Sequence, residues 1–598
     1  MTKLSDYVMR RVAETGVRDV FLLPGGGCMH LVDSLGREKN LRFVCNLHEQ
    51  AAAVAADAYA QYTGNLGVAL VTTGPGGTNA VTGVAGSWCD SIPVLIISGQ
   101  VKRPDLLTGR GVRQMGFQEI NIVDIVRPIT KYAVLIDDPN SIRYHLDKAL
   151  YLAKHGRPGP VWIDIPLDVQ AAELDEATLP AFDPSELPDA GPAPDVRPKA
   201  IEAIRLLNAA ERPVILVGNG VRLAGAVESF LELAKLLQIP VLTTWKSMDM
   251  LAENDPLFIG RPGAVGQRAA NFAQQNSDCI LILGARLDLG QTAYNHAAFA
   301  RKAAKIIVEI DPAELAKLQM KIELPVCGDA GAFVAAMLSE RERIVQKDRA
   351  AWWAKCREWK ARFPVLLPEY WNDAQGVSNY VLVEVLSDEM QAGDLMVPGS
   401  SGASSEVPMQ AFRVPAGVRV FNTEGLGPMG FGLSAAIGAC VASGRRTVCI
   451  DGDGGLQLNI QELETLHRLN LPLKLFVLNN DGYVSIRSTQ KAYFDGRYVA
   501  SGPDSGLTLP DIIKLATAYG LPTAEIRDHS DIRGQVRRIL QQEGPVVCDV
   551  HITPNQMPAP RVSTRQRADG MMESAPMEGL WPFLERDDFK KQMLIETE

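Results

Sequence analysis

Two short polar clusters, each at the end of an apolar run, constrain the fold of this chain more than any other feature. Gly452-Asp453-Gly454 closes a β-branched apolar run, and Asn479-Asn480 follows twenty-four residues later at the end of a second run. The segment 455–469 mixes apolar and polar residues at helical spacing, which predicts a helix. Strand, glycine turn, helix and strand in this order place both clusters at the carboxyl ends of neighbouring parallel strands. Open α/β sheets bind their ligands at that edge.

The side chains of the two clusters suit Mg²⁺ and a diphosphate. Asp453 and the amide oxygen of Asn480 are hard donors, and a backbone carbonyl near Gly482 would complete the protein's share of an octahedron. Small residues let the backbone approach phosphate, and the predicted contacts are Gly452, Gly454 and Gly455. An ordinary solvent-facing turn is the alternative, because Gly-Asp-Gly alone is common. The Asn-Asn partner at this spacing favours the metal and diphosphate.

This pattern is the thiamine diphosphate fingerprint, and other segments extend the resemblance along the chain. They are Leu47-His48-Glu49-Gln50, Thr73 to Asn79, Phe117-Gln118-Glu119, Gly156 to Pro160 with Asp164-Ile165-Pro166, and Gly425 to Gly430. In this order they resemble the acetohydroxyacid synthase (acetolactate synthase) group of thiamine diphosphate enzymes. The resemblance implies thiamine diphosphate and Mg²⁺ as cofactors.

Alternation of strands, glycine turns and helices, together with the resemblance, predicts an α/β fold with three doubly wound parallel-sheet domains. One proline-rich, acidic stretch indicates a linker. The predicted boundaries are 1–170 for a pyrimidine-binding domain, 171–198 for the linker, 199–338 for a central nucleotide-type domain, 339–370 for a connector, 371–552 for the diphosphate and Mg²⁺ domain, and 553–598 for a C-terminal arm.

Composition indicates a large soluble enzyme of 598 residues, 46% apolar and 22% charged. The net charge of -10 leaves no basic footprint for nucleic acid. The amino-terminal segment is neither a signal peptide nor a membrane span, and the nine cysteines are scattered without a Cys-x-x-Cys pair. We therefore expect a cytoplasmic protein with reduced cysteines, whose partners are small molecules and its own copies.

Glu49 is the predicted catalytic acid. The thiazolium ring must lose its C2 proton, and the 4'-amino group of the cofactor, in its imine form, can act as the base. A carboxyl group hydrogen-bonded to N1' in a dry pocket supports that tautomer. In the family a glutamate has this role, and Glu49 matches its position. An exposed glutamate at a helix start is the alternative, but the small-residue run from Ala51 to Ala60 favours a helix that packs closely at an interface.

The resemblance implies further contacts in the same site. Pro75 and Asn79 would line the aminopyrimidine, Gly427 would offer its carbonyl to the 4'-amino group, and Met429 would support the bent cofactor. Because Glu49 and Asp453 lie in different domains that meet across a subunit boundary in the family, the predicted active unit is a homodimer or homotetramer.

The resemblance also implies contacts to the substrate and to the diphosphate. Phe117 and Gln118 are the predicted substrate residues, and Gly26 lies in a loop close to where substrate should sit. His30 in that loop either transfers protons or makes a structural hydrogen bond. The predicted diphosphate loop contains Ser401, Gly402 and Ala403, with the Gln-His of the family absent and a carboxylate at Glu406 that would repel phosphate unless it points away.

A second cofactor, FAD, is predicted in the central domain. Gly218 and Gly220 after a strand form a weak dinucleotide signal, for which a turn without cofactor is the alternative. The other residues that resemble the family's FAD contacts are Gly284, Arg286, Asp288, Glu309 and Asp329. Two departures are Arg261-Pro262-Gly263 in place of Met-His-Gly and Gly290 in place of an arginine.

The predicted reaction is decarboxylation of a 2-oxo acid, with pyruvate favoured, and ligation of the product to an aldehyde or ketone. A tryptophan that selects the second 2-oxo acid in the family has no counterpart in 481–490, which argues against acetohydroxyacid synthesis. The arm, with Arg561, Arg565 and Arg567, resembles relatives that use a keto-sugar nucleotide acceptor, or else it only covers apolar surface. Acetolactate synthase and a simple decarboxylase are alternatives within this class. A nicotinamide- or flavin-dependent oxidoreductase and a silent ligand-binding regulator are alternatives from other classes.

Overall fold

Three parallel six-stranded sheets, each flanked by helices, organise the chain. The computed structural model describes residues 1–187, 194–554, 556–566 and 572–596. The predicted α/β class with three doubly wound sheets is confirmed. Residues 188–193 of the predicted linker lie outside the described residues.

In the amino-terminal sheet all strands are parallel, and their spatial order reverses after the second strand. In spatial order its strands are Arg42–Cys45, Asp19–Leu22, Gly67–Val71, Val94–Gln100, Val161–Pro166 and Tyr132–Leu135. Its helices are Leu4–Glu14, Met29–Arg37, Glu49–Thr63, Pro75–Asp90, Ile122–Val126, Ile142–Lys154 and Leu167–Gln170. The strand order reverses between Asp19–Leu22 and Gly67–Val71, so the loops that follow these two strands border a crevice suited to a ligand.

The central sheet is also parallel and six-stranded, but its strands follow a different spatial order from those of the amino-terminal sheet. Its strands, in spatial order, are Phe258–Gly260, Val241–Thr243, Pro213–Val217, Cys279–Leu283, Ala304–Glu309 and Leu324–Cys327. The helices around it are Arg197–Ala209, Gly220–Leu223, Val227–Leu237, Arg268–Gln275, Pro312–Ala316 and Ala330–Ser339, followed by the connector helix Ala350–Arg362. Here the order reverses between Pro213–Val217 and Cys279–Leu283, which brings Gly218 and Gly284 to the crevice.

The third sheet carries the predicted metal motif. In spatial order its strands are Arg419–Val420, Leu395–Pro398, Thr447–Gly452, Leu473–Asn479, Val546–His551 and Thr523–Ile526. Its helices are Asn379–Glu389, Glu406–Ala411, Phe431–Ser443, Asp453–Leu456, Glu462–Leu469, Val484–Tyr493, Ile512–Ala518 and Ile532–Gln541. The order reverses between Leu395–Pro398 and Thr447–Gly452. The loops after these strands contain Ser401 and Asp453.

The helix predicted over 455–469 is interrupted. One turn, Asp453–Leu456, is followed by a 3-10 turn, Gln457–Asn459, before Glu462–Leu469 resumes the helix. The amide of Asn459 donates a hydrogen bond to the Gly430 carbonyl at 2.9 Å. The 3-10 turn thus coincides with a contact to a distant loop, which helical spacing alone could not reveal.

The C-terminal arm is more structured than predicted and covers the central domain. Short strands pair Arg561–Val562 with Leu580–Trp581 and Thr564–Gln566 with Met572–Ser574, and the helix Arg586–Gln592 follows. Asn271 donates to the Met577 carbonyl at 2.8 Å, which fixes the arm to the helix Arg268–Gln275. At the start of the chain, Thr2–Lys3 pairs with Glu173–Leu174, just after the last helix of the first domain. No helix among the described residues is long and apolar enough to cross a membrane, and all nine cysteines are free thiols in the described ranges.

The small-residue helix Glu49–Thr63 packs closely against Phe431–Ser443 of the third domain. Gly438 has no side chain at this crossing, and a Cβ there would collide with the Ala55 carbonyl. The predicted close packing of the run Ala51 to Ala60 is therefore present within one chain. This crossing joins the first and third domains along the helix that begins at Glu49.

Changing Gly438 to valine should lower the free energy of unfolding by about 1–3 kcal/mol or more, because the new side chain forces the two helices apart. Thermal and urea unfolding would measure the loss. Gly36→Ala is a matched control, because Gly36 also lies in a helix but has nothing within 4 Å of an added Cβ. That control should be neutral or stabilising by up to about 1 kcal/mol. Equal stability of Gly438→Val and the natural chain would contradict the close contact.

Candidate functional site

Glu49 begins its helix inside the protein and not at the surface. Its side chain is only 5% exposed, and Nδ2 of Asn79 donates a hydrogen bond to its Oε2 at 3.0 Å. His48 caps the helix, since its Nδ1 accepts from the Gln50 N–H at 3.1 Å. Asn79 lies on the helix Pro75–Asp90, which follows the central strand Gly67–Val71. The alternative of a solvated glutamate is therefore excluded, and the acid stands in the amino-terminal crevice.

The loop of Gln118 closes over the same crevice. Gly74 has φ +66°, and any side chain on it would collide with the Gln118 carbonyl, while Gln118 itself has φ +62°. Pro75 follows Gly74 directly, so Gln118, Pro75 and Glu49 converge. Phe117 is 87% exposed beside them. An aromatic ring left this open is suited to contact a substrate or another chain.

Gly26 lies on the opposite wall of the crevice. A shallow apolar cavity is lined by Pro24, Gly25, Gly26, Met29, Val32 and Asp33. Side chains on Gly25 or Gly27 would collide with Thr72 or Thr73, so the glycines bring the two loops at the reversal of strand order into contact. His30 does not line this cavity, and burial, with a further contribution from Lys3, lowers its pKa below the ordinary value. The structure shows no hydrogen bond of the His30 side chain among the described residues, so both interpretations of His30 stay predictions.

Glu119 anchors the loop that carries Phe117 and Gln118. Its carboxylate, only 5% exposed, accepts from the backbone N–H groups of Met115 and Gly116, both at 2.9 Å, and also from that of Leu107. A single buried side chain thus restrains the segment between Leu107 and Gln118.

Changing Glu119 to glutamine should loosen this loop, because an amide accepts these N–H groups less well than a carboxylate, and hydrogen bonds to a charged group contribute about 1.5–3 kcal/mol each. We expect trypsin to cleave after Arg110 and Arg113 about tenfold faster or more. The time course by mass spectrometry would measure it. Asp105→Asn, in the same exposed segment, should cleave at the natural rate, and an unchanged rate for Glu119→Gln would show that the carboxylate does not restrain the loop.

Asp453 is buried and oriented by backbone groups. It is 2% exposed, its Oδ2 accepts from the N–H groups of Asn480 at 3.0 Å and Gly482 at 3.1 Å, and its Oδ1 accepts from that of Gly454 at 2.8 Å. Burial raises the pKa of Asp453 to about 6, against the lowering effect of these three donors. Such a carboxylate is costly to keep charged without a cation.

Asn480 supplies the matching oxygen. Its Oδ1 is buried and has no hydrogen-bond partner among the described residues. Buried polar atoms are normally paired, so an unpartnered amide oxygen beside a buried carboxylate fits a bound cation. Asp453 and Asn480 would hold Mg²⁺, and burial of Asp453 and of the Asn480 Oδ1 atom argues against a solvent-facing turn.

The predicted diphosphate loop meets the metal segment. Gly402 has φ +58°, and an added Cβ would lie 3.6 Å from the Cβ of Ser485. Ser485 lies three residues after Gly482 of the turn that carries the proposed metal ligands. Gly427 has φ +60°, and its added Cβ would lie 3.1 Å from the Ser400 carbonyl. A side chain on Gly454 would collide with the ring of Tyr483. The loops that contain Ser401, Ala403, Gly427, Gly452 and Gly455 therefore surround one crevice at the reversal of strand order.

The carboxylate of Glu406 is affected by the C-terminal arm. Burial raises its pKa, and the nearby charge of Arg561 opposes the rise. The arm therefore places a positive charge near Glu406. Of the three arginines in the arm, Arg561 is described, whereas the side chain of Arg565 and all of Arg567 lie outside the described residues.

Met429 lies next to the Glu49 helix in the same chain. Nε2 of Gln50 donates to the Met429 carbonyl at 3.0 Å. Glu462 of the third domain accepts from the Leu47 N–H at 2.7 Å and from Asn46 at 2.9 Å. Gln50 could have been found from the sequence, because it stands beside Glu49 in the motif Leu47-His48-Glu49-Gln50. Glu462 has no local signal, because its partners lie more than 400 positions away.

Glycines bring the two loops at the central reversal of strand order into direct contact. Side chains on Gly218 or Gly220 would collide with the backbone at Gly284, and the Gly220 N–H donates to the Gly284 carbonyl at 2.9 Å. The close approach of these loops therefore explains the glycines at these positions without any bound nucleotide. The buried Arg261 donates to the carbonyls of Gln410 and Phe412 and so faces the third domain.

The polar residues predicted to contact FAD also have intramolecular partners. Asp329 caps the helix Ala330–Ser339 by accepting from the Ala332 N–H at 2.8 Å. Asp288 accepts from the Gln291 N–H at 3.0 Å, and Glu309 from that of Asp311 at 3.1 Å. Arg286 reaches the Cys89 carbonyl of the first domain at 3.4 Å.

Comparison with known proteins agrees with this division into three sheets. Residues 2–125 match the thiamine pyrophosphate enzyme, N-terminal TPP binding domain, residues 200–337 match the central domain, and residues 400–550 match the C-terminal TPP binding domain. The acetolactate synthase large subunit of Parasynechococcus marenigrum is 36% identical over 91% of this chain and 86% of its own length. The chain belongs to the acetolactate synthase group of thiamine pyrophosphate enzymes.

Other relatives of this thiamine pyrophosphate enzyme cover it equally well. The acetolactate synthase large subunit of Cyanidium caldarium is 33% identical over 92% of both chains. The probable acetolactate synthase 2, chloroplastic, of Oryza sativa subsp. japonica is 35% identical over 93% of this chain and 83% of its own. The predicted family and its enzyme class, thiamine diphosphate-dependent carboligation, are confirmed.

Proposed function

We propose that this enzyme decarboxylates a 2-oxo acid, with pyruvate as the donor, and transfers the remaining two-carbon unit to an aldehyde or ketone. The observation that carries the proposal is the pairing of a buried acid, Glu49, in one crevice with an unpartnered amide oxygen, that of Asn480, beside buried Asp453 in another. Thiamine diphosphate supplies the electron sink when bound.

The residues of the chain have separate tasks in this proposal. Glu49 holds a proton at N1' of the pyrimidine, and Asn79 orients Glu49. Asp453 and Asn480 hold Mg²⁺, with the Gly482 carbonyl as a third ligand. Gln118, Phe117 and Gly26 bind the substrate and exclude water, which favours loss of CO₂ from a desolvated carboxylate.

The test is release of CO₂ from a panel of 2-oxo acids with added thiamine diphosphate and Mg²⁺, followed by mass spectrometry of products with aldehyde and ketone acceptors. Pyruvate should give CO₂ and a ligation product. Free acetaldehyde without ligation would favour the simple decarboxylase, and no CO₂ from any 2-oxo acid would favour the silent regulator.

Acetolactate is the first product to seek, because the relatives are named acetolactate synthases. The missing tryptophan in 481–490 leaves other ketone acceptors open. A keto-sugar nucleotide acceptor has no support from those relatives and stays a prediction of the arm sequence. Competition between pyruvate and each ketone in one reaction would rank the acceptors.

We propose that the active unit is at least a homodimer, with Glu49 of one chain facing Asp453 of its partner. Mixing two inactive variants, Glu49→Gln and Asp453→Ala, tests this. After subunit exchange a mixed dimer has one fully intact site, so activity should return to about a quarter of the natural value. No recovery in a mixed dimer verified by mass spectrometry would place both residues of a site in one chain.

We propose FAD as a structural cofactor at the central reversal of strand order. Support comes from Glu309 at the end of its strand, where an acid suits a ribose hydroxyl, and from the cation Arg286 beside the crevice. The residue types at this crevice suit a nucleotide, although Gly290 carries no charge where the family has an arginine. A flavin spectrum in the supernatant of heat-denatured protein, or a rise in Tm with added FAD, would support this, whereas a colourless protein without a shift contradicts it.

A further inference from the structure

The turn that carries the proposed metal ligands is held from two sides. On one side Asp453 accepts from the backbone N–H groups of Asn480 and Gly482. On the other side the guanidinium of Arg487 donates to the carbonyl of Asn480 at 2.6 Å and to that of Asp481 at 3.0 Å. An anion holds the donors of the turn, and a cation holds its acceptors.

The turn needs such restraint because of its backbone conformation. Asp481 has φ +56° and Gly482 has φ +127°. A non-glycine residue in the left-handed region is uncommon and costs free energy that the surroundings must supply. Without outside partners, the peptide groups on either side of Asp481 could rotate to other conformations.

Arg487 also links the turn to a buried anchor. It donates to the Ser501 carbonyl at 2.9 Å, and the same carbonyl accepts from the Tyr483 N–H at 3.0 Å. Ser501 is fully buried, and its hydroxyl donates to Gln490 at 2.8 Å. All three acceptors of Arg487 are backbone carbonyls outside its own helix, Val484–Tyr493, so helix capping does not explain its position.

We infer that Arg487 is a positioning residue for Mg²⁺. With its N–H bonded to Asp453 and its carbonyl bonded to Arg487, Asn480 has one backbone orientation, which directs its buried, unpartnered Oδ1 toward the cation site. The planar guanidinium reaches three carbonyls at once, which the single ammonium of a lysine cannot reproduce. This inference rests on the proposed function. It concerns a residue that touches the ligand-bearing turn and not the metal.

The experiment measures Mg²⁺ affinity and not turnover. Tryptophan fluorescence would follow thiamine diphosphate binding as Mg²⁺ is titrated into the natural chain, Arg487→Met, Arg487→Lys and the control Lys491→Met. Lys491 lies one turn further along the same helix and is exposed. Loss of an outer partner of a metal ligand typically costs 10–100-fold in affinity, so the Mg²⁺ concentration at half-saturation should rise at least about tenfold in Arg487→Met and by less in Arg487→Lys. Lys491→Met should match the natural chain.

The outcomes separate this inference from the proposed function. Half-saturation of Arg487→Met within about threefold of the natural chain would overturn the inference and leave the metal site intact. Failure of the natural chain to bind thiamine diphosphate with Mg²⁺ would instead sink the proposed function. Circular dichroism without cofactors shows whether each variant folds. If Arg487→Met does not, Arg487→Lys decides, and a Mg²⁺ requirement equal to that of the natural chain then overturns the inference.

Discussion

Replacing Glu49 with glutamine will lower the rate of CO₂ release from pyruvate by about a hundredfold to ten-thousandfold, the range typical of a lost general acid or base. Glutamine has nearly the same shape, and its amide oxygen can still accept from Asn79, so the crevice should keep its structure. It cannot exchange a proton with N1' of the cofactor. The initial rate of CO₂ release at saturating thiamine diphosphate and Mg²⁺ is the measurement.

Binding distinguishes loss of chemistry from loss of the site. Thiamine diphosphate should bind Glu49→Gln within about tenfold of the natural affinity, because the diphosphate and Mg²⁺ contacts in the third domain are untouched. Glu228→Gln, an exposed glutamate on a helix of the central domain, should leave both quantities unchanged. A Glu49→Gln enzyme with more than half of the natural rate would remove Glu49 from the mechanism.

Replacing Asp453 with alanine will abolish Mg²⁺-dependent binding of thiamine diphosphate, lowering the affinity at saturating Mg²⁺ by at least about a hundredfold. The change removes the charged ligand and leaves the N–H groups of Gly454, Asn480 and Gly482 without their acceptor. Each unsatisfied buried donor costs about 1–3 kcal/mol, so the turn itself should also loosen. Isothermal titration with thiamine diphosphate at fixed Mg²⁺ measures the loss.

A carboxylate elsewhere in the same domain controls for nonspecific loss. Asp504→Ala removes an exposed carboxylate of a surface turn and should bind normally. If Asp453→Ala bound thiamine diphosphate and Mg²⁺ with natural affinity, the cation site would have to lie elsewhere. Asp453→Ala lacks a metal ligand, whereas Arg487→Met lacks only a restraint on the turn. We therefore expect saturating Mg²⁺ to restore thiamine diphosphate binding to Arg487→Met and not to Asp453→Ala.

Much of the candidate site was predictable because its determinants are local. An apolar run followed by a turn is a pattern of consecutive residues. This local pattern is enough to place Asp453, Asn480, Gly218 and Gly284 at strand ends. The structure then shows the turns of Asp453, Gly218 and Gly284 at the reversals of strand order, with Asn480 at the end of the neighbouring strand.

Other features depend on contacts between distant segments and have no local pattern. The 3-10 turn within the helix predicted over 455–469 includes Asn459, whose side chain bonds to Gly430. Glu462 meets Leu47 across two domains, and the arm packs onto Asn271. Side-chain periodicity reports which face of an element is buried and not which element covers it, so these partners were invisible beforehand.

The amino-acid sequence by itself determined the class of the molecule: three α/β domains, a thiamine diphosphate fingerprint and an acid at position 49. These follow from short-range order, since residue spacing sets where a strand ends and which donor atoms stand there. The tertiary structure decided how those atoms are held: Asn79 on Glu49, the unpartnered oxygen of Asn480, and the clamp of Asp453 and Arg487 on one turn. Such geometry depends on packing between elements, and packing is a property of the folded chain and not of any local segment.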